Sequence, residues 1–169
     1  MLRQLHWRSV AGASLQIAVL TVLAFAFFMR IPQVSGLSMA PHISSGEIVL
    51  INTMAYKFAP PHRGDIIAFH HDGPTADTFI KRIIGLPGDS VRIDRGRVFV
   101  NGAALDEAYV RFPDERSFPA VTVPAGSLYV LGDNRAASDD SRSWGFVPQD
   151  RVLGKALAGI WPLGQFGAL

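Results

Sequence analysis

Two hydrophobic patterns divide the chain. From Ser9 to Met29 there are 21 consecutive positions without a charged residue. Leu15, Ile17, Val19, Leu20, Val22, Leu23, Phe25, Phe27 and Phe28 spread around every side of a helix, so the run is apolar all round rather than amphipathic. At about 1.5 Å per residue, a helix of that length matches the hydrocarbon thickness of a bilayer. Beyond Arg30 the pattern changes to short alternating runs between Gly/Pro turns, with no amphipathic helix. These runs are Glu47–Asn52, Ile66–Phe69, Phe79–Ile84, Ser90–Ile93, Arg97–Val100, Pro119–Val123, Ser127–Leu131 and Val152–Ile160. They predict a mainly β fold: a transmembrane helix over 9–29 behind a tail over 1–8, then a β-rich folded-sheet or barrel-like domain over 30–169. His70–Pro74 reads as a loop and Gly132–Ser143 as a long polar one. The apolar tail Ala156–Leu169, broken by Pro162 and glycines, reads as a last strand packing on the sheet.

Within Phe79–Ile84 the alternation puts Phe79, Lys81 and Ile83 on one face and Ile80, Arg82 and Ile84 on the other. A lysine thus stands in an apolar row. Its stem packs while its ammonium reaches water, or burial holds it neutral and able to take a proton. With the ordinary pKa of about 10.4 only about 0.04% of lysines are neutral at pH 7, so a lysine base needs an apolar pocket.

Composition narrows the chemistry. The 169 residues suit one domain with a real core. There is no cysteine, hence no disulfide, thiolate metal site or cysteine nucleophile. From Arg30 onward 14 Lys+Arg balance 14 Asp+Glu, which argues against nucleic acid as a partner. Arg3 and Arg8 precede the apolar run and only Arg30 closely follows it. That asymmetry favours a cytoplasmic amino terminus with the β domain outside, in a single-pass arrangement. A cleaved secretory signal is the rival reading, with Ala24-Phe25-Ala26 as its small-x-small site. Ser38 lies nine residues beyond Met29, at most about 30 Å of extended chain, so it stays near the bilayer surface.

Ser38 is a candidate nucleophile and needs a partner to remove its proton. His42 is a poor one: it follows four residues later in a Pro-containing loop, with no carboxylate placed to orient it. His70, His71 and Asp72 do not suit a metal, because adjacent side chains in a strand point apart. No metal and no cofactor is expected.

Four stretches in order resemble bacterial type I signal peptidase, a membrane-bound serine protease. They are Ser38-Met39-Ala40-Pro41; Arg63-Gly64-Asp65-Ile66-Ile67-Ala68-Phe69; Phe79 to Asp89 around Lys81; and Gly132-Asp133-Asn134-Arg135 through Ser138, Asp140-Ser141-Arg142 and Trp144 to Pro148. The resemblance implies that Ser38 attacks the scissile carbonyl while neutral Lys81 takes its proton. It implies that Ser138 orients the lysine amine, that Asp140 and Arg142 pair to hold their loop, and that Asp133 and Asn134 shape the turn. The oxyanion would rest on backbone N–H groups, chiefly that of Ser38, unless Ser35 reaches in. Gly36, where many Gram-negative members have serine, resembles the Gram-positive form. His42 stands where threonine is usual, and Ala136 and Ala137 where polar residues are common. The resemblance also implies that the membrane is the plasma (inner) membrane. The implied partners are membrane lipid and the signal peptides of preproteins, bound extended along a strand edge and cut after small-x-small sites. Met39, Phe79 and Ile80 are then pocket walls, or else ordinary core. Related maturation peptidases of mitochondria or conjugation systems, soluble self-cleaving repressor-type proteases, and a non-enzymatic peptide-binding β domain share parts of this pattern. The membrane run argues against the soluble kind.

Overall fold

The computed structural model describes residues 2–71, 77–162 and 167–168. The end of the His70–Pro74 loop and the middle of the tail lie outside the described residues, as do the side chains of Ala24 and Phe25 in the candidate cleavage site. Helix α1 runs Leu2–Phe28, including most of the expected tail. It ends one residue before the apolar run does, because β1 (Met29–Arg30) has already joined the sheet, pairing with β2 (Ile48–Asn52). Val10–Phe28 has a mean hydropathy of 2.1, and none of it is buried.

The expected β-rich body is present, as two antiparallel sheets. Besides β1 and β2, the larger contains β3 (Ile66–His70), β4 (Thr78–Gly85), β9 (Ser127–Leu131), β10 (Val147–Pro148), β11 (Val152–Trp161) and β12 (Gly167–Ala168). Its order is β1-β2-β11-β3-β4-β9-β10, with β12 pairing β11, so the path is open rather than a closed barrel. The smaller sheet has β5 (Ser90–Asp94), β6 (Arg97–Val100), β7 (Ala103–Ala104) and β8 (Phe118–Thr122), in the order β7-β6-β5-β8. Short helical turns α2 (Ala55–Phe58) and α3 (Ser141–Trp144) complete the fold. At four residues each they are too short to show a helical period.

Alternation explains the solvent-facing strands: β5 buries Val91 and Ile93 and leaves Arg92 exposed. It fails on β4, buried from Ile80 to Gly85, because both of its faces are covered. One face meets a cluster of Met39, Ile43, Val49, Ile51, Ile66 and Ala68 around Ile80. The other meets Ile67, Phe69, Leu128 and Val130 around Ile83. A third cluster, with Ile84, Val91, Val98 and Leu131, joins the two sheets.

Two features of β4 shape the site. It pairs with β3 from Thr78 onward, but with β9 only from Arg82 (opposite Leu131) onward. Between Thr78 and Lys81 one strand edge is therefore left free. Beyond Leu131 the chain turns away at Gly132. A Cβ there would meet Ser138 Oγ at 2.2 Å and the Ser38 carbonyl oxygen at 2.4 Å, so only glycine lets the two loops close on each other.

Candidate active site

Ser38 sits in a turn whose next residues are pinned in the core, Met39 at 2% exposure and Ile43 at 0%. The Asn134 N–H donates to the Ser38 carbonyl at 3.0 Å. Core packing on one side and this bond on the other fix the serine backbone. The Ser38 N–H has no acceptor among the described residues. Lys81 reaches Ser38 from the free stretch of β4, with Nζ donating to Oγ at 2.8 Å. The lysine side chain is buried, 3% exposed, and Phe79 covers it with its ring centroid 5.5 Å from Nζ. No carboxylate among the described residues lies within ion-pair distance of it. Burial pushes the Lys81 pKa down to about 8; the charges of Asp140 and Asp139 oppose the fall and that of Arg142 assists it. When the amine is neutral, its lone pair can accept the Ser38 proton along the same line.

The remaining expected residues gather around this pair. Asp133 is fully buried and accepts two bonds from Arg82, at 2.8 and 2.6 Å. Arg82 also donates to the Gly64 carbonyl at 2.9 Å and lies 4.2 Å over the Tyr109 ring. Asn134 Oδ1 accepts from the Ala137 N–H and caps the 3-10 turn Arg135–Ala137. Asp140 accepts from Arg142 Nε and Nη2, both at 2.8 Å, and from the Gly132 N–H at 3.0 Å. It also caps α3 through the Arg142 N–H. Asp140 is fully buried and the Arg142 side chain 3% exposed, so this is an interior ion pair rather than a solvated one.

Ser138 is brought close, as its approach to Gly132 requires. Its Oγ is buried but makes no hydrogen bond, so the bond to the Lys81 amine that the resemblance implies is not formed in this structure. Ser35 is exposed and lines the cleft, with no hydrogen bond from its hydroxyl among the described residues. His42 lies with Nδ1 3.5 Å from Asp133 Oδ2, and forms no bond with Ser38. His71 packs against Trp144 with the rings tilted by 42° and centroids 4.4 Å apart, and no metal-binding group forms among the described residues.

A cleft of about 490 Å³ opens at Ser38 and Lys81. One wall is Pro32–Met39, the other Asp77–Lys81, and Ala137 and Asp139 close one side. Met39, Phe79 and Ile80 all line it. Met39 and Ile80 are also core, since each packs in the cluster beneath the cleft.

Sequence reasoning missed a strap of chain between β7 and β8. Glu107 pairs with the buried Arg135, Asp114 pairs with Arg142 at 2.8 Å, and the Phe112 carbonyl accepts from the Ala136 N–H at 3.3 Å. The strap thus clamps the loop that carries Asp133 to Arg142. Its only sequence signal was charge, in a segment without hydrophobic period.

A family model described as signal peptidase, peptidase S26, matches residues 7–161. The chain is 41% identical over 139 residues to signal peptidase I of Leptolyngbya laminosa, covering 78% of this chain and 68% of that one. It is 37% identical over 163 residues to the probable signal peptidase I-1 of Synechocystis, covering 92% and 83%. It is 35% identical over 164 residues to signal peptidase I of Bacillus caldolyticus, covering 89% and 87%. A crystal structure of a signal peptidase I from Enterococcus faecalis aligns with a TM-score of 0.49 and 37% identity, over 56% of this chain and 95% of that one. The shared name sets aside the maturation-peptidase and non-enzymatic readings. The chain belongs to the S26 family of signal peptidases and is a serine endopeptidase of the signal peptidase I type.

Proposed function

We propose that Ser38 and Lys81 form a catalytic dyad that cuts signal peptides from exported preproteins after small-x-small sites, at the outer face of the membrane. The observation that carries this is the 2.8 Å approach of Ser38 Oγ to an amine that is buried and has no carboxylate within ion-pair distance among the described residues. With its pKa near 8, about one Lys81 in ten is neutral at pH 7, against about one in 2,500 for an ordinary lysine. Substrate filling the cleft displaces water and raises that share further.

Ser38 Oγ attacks the carbonyl carbon before the cut as its proton passes to Lys81 Nζ. The oxyanion is held by the Ser38 N–H, which has no acceptor among the described residues. Lys81 then returns the proton to the leaving amine as the C–N bond breaks, leaving an ester on Ser38. Water enters, gives a proton to the same amine and attacks the ester carbonyl; the C–O bond to Ser38 then breaks, Lys81 returns the proton to Ser38 Oγ, and the signal peptide leaves as its carboxylic acid. Ser138, unbonded in this structure, turns to orient the amine once substrate is bound; Asp133 and Asn134 hold the turn behind Ser38, and Asp140 with Arg142 holds the loop behind Ser138.

The peptide lies extended along the free edge of β4 at Thr78–Ile80, opposite Pro32–Leu37. There it gains backbone hydrogen bonds that β9 does not take. Alternation then turns its first and third residues before the cut toward the walls at Met39, Phe79 and Ile80, where only small side chains fit. Helix α1 is the anchor: Val10–Phe28 supplies 19 residues of unburied apolar surface.

Ser38→Ala and Lys81→Ala, each purified in detergent with a preprotein, test the dyad. Both should abolish cleavage. Cleavage by Lys81→Ala at a rate near that of the unaltered enzyme would refute it. Alkaline extraction and protease accessibility of the β domain in sealed spheroplasts test the anchor and its orientation.

A further inference from the structure

We infer that the cleft reads charge as well as size: Asp139 and Asp77 select for basic and against acidic side chains in the stretch of substrate before the cut. This rests on the peptide path proposed above. Among the described residues lining the cleft the only charged groups are Asp77, Lys81 and Asp139. Lys81 must be neutral to act, so the described lining of the working cleft then carries two negative charges and no positive one. Both carboxylates are exposed, and no lysine or arginine among the described residues lies within ion-pair distance of either. Neither charge is neutralised by a cationic partner among the described residues, so their field also reaches whatever occupies the cleft.

The two stand at different stations. Asp139 follows Ser138 and is close enough for its charge to act on the Lys81 amine. It therefore flanks the reacting pair. Asp77 opens the free edge of β4, four residues before Lys81. At about 3.3 Å per residue that places it roughly 13 Å along the strand. A peptide running beside this edge meets Asp139 near the scissile bond and Asp77 about four residues upstream. Its first and third side chains are taken up by the small pockets. The second residue before the cut, and the fourth and fifth, are free to carry charge past the two carboxylates.

Exposed charges facing one another across a wet cleft are worth about 1 kcal/mol or less each, so the preference is severalfold rather than absolute. It is screened by salt, because the Debye length is about 10 Å at 0.1 M and about 3 Å at 1 M.

The full chain in detergent, with synthetic peptides carrying Ala at the first and third positions, provides the test. Lys, Gln or Glu is placed at the second position in one series and at the fourth in another, and kcat/KM is measured for each. The expected Lys-to-Glu ratio is about threefold to tenfold in both series and falls toward one at about 1 M salt. Asp139→Asn should collapse the ratio at the second position and spare the fourth, and Asp77→Asn should do the reverse. Any effect of Asp139→Asn on Lys81 itself acts on all peptides alike and cancels in the ratio. A ratio near one in the unaltered protein, or an unchanged ratio in both variants, overturns the inference. The neutral Gln peptides keep the two proposals apart. If Lys81→Ala still cuts them, the dyad fails; if it does not and the Lys-to-Glu ratio is one, only the charge reading fails.

Discussion

Lys81 and Arg82 are neighbours on β4, both cationic and both nearly buried, at 3% and 9% exposure. Arg82 meets a fully buried carboxylate through two hydrogen bonds, together with a backbone carbonyl and an aromatic face. Lys81 meets one hydroxyl and a more distant aromatic ring, 5.5 Å to its centroid, with no carboxylate among the described residues within ion-pair distance. The difference follows from chemistry. A guanidinium cannot shed its proton in a protein, so burying it requires an anion. An amine can shed its proton, so burying it unpaired lowers its pKa instead. The fold therefore uses the arginine as scaffold and leaves the lysine able to lose its proton, as the proposed base must, the two separated only by the alternation of a strand.

The sharpest way to break that contrast is Lys81→Met. Cleavage should fall by about three orders of magnitude or more, the upper part of the range for losing a general base, compounded by an unactivated serine. Stability should move the other way. The native pKa is about 8 and the unfolded value 10.5, so between these the unfolded chain binds more protons and stability rises with pH. Below about pH 8 the burial penalty is complete, at most about 3 kcal/mol. Met should recover much of this at pH 7 and almost none above about pH 10.5. Urea midpoints at pH 7 and pH 10 check it; a variant that unfolds more easily at pH 7 would mean the lysine is not held against its charge.

Arg82→Met should do the opposite. It leaves Asp133 buried with only His42 at 3.5 Å, and should cost about 3–5 kcal/mol. The double change Arg82→Met with Asp133→Leu should regain a large part of that loss, since a buried pair is often replaceable by apolar groups. Thermal unfolding of the single and double variants measures both. Equal stability of Arg82→Met and the unaltered chain would erase the distinction between the two cations.

A smaller effect sharpens the lysine half. If the neutral amine is the active form, as proposed, kcat/KM should rise about tenfold per pH unit below about pH 8 and level off above it. A profile flat from pH 6 to pH 9 would exclude Lys81 as the base.

The same pair of residues marks what a linear pattern can convey. Alternation and Gly/Pro turns are local, so β3, β5, β6 and β9 lie within a residue of where the pattern predicts them. Alternation also sends Lys81 and Arg82 to opposite faces, yet it names no partners. Ser38 lies 43 positions from Lys81 and Asp133 51 from Arg82. The first pairing was legible only through resemblance to a family, and the second was not legible at all. The clamps Glu107–Arg135 and Asp114–Arg142 span 28 positions each and join two segments without hydrophobic period. The turns at Arg135–Ala137 and Ser141–Trp144 depend on Asn134 and Asp140 as caps. In sequence these read as loop polarity.

Ser138 tests the contrast at its finest grain. Its hydroxyl is buried beside the dyad with no partner, which costs folding free energy for nothing that the resting structure returns. Ser138→Ala should therefore raise stability by about 1 kcal/mol, because an unsatisfied buried hydroxyl is removed without creating a large void. If the hydroxyl turns to the Lys81 amine once substrate is bound, the same change should slow cleavage by about tenfold, the worth of one hydrogen bond near 1.4 kcal/mol. The loss should fall on kcat more than on KM, since the bond orients a base rather than the peptide. Greater stability with unaltered kcat would make Ser138 a packing residue and leave Lys81 oriented by Ser38 and Phe79 alone. Lower stability would mean that the hydroxyl already has a partner in solution, and the dyad would then have a third member before substrate arrives.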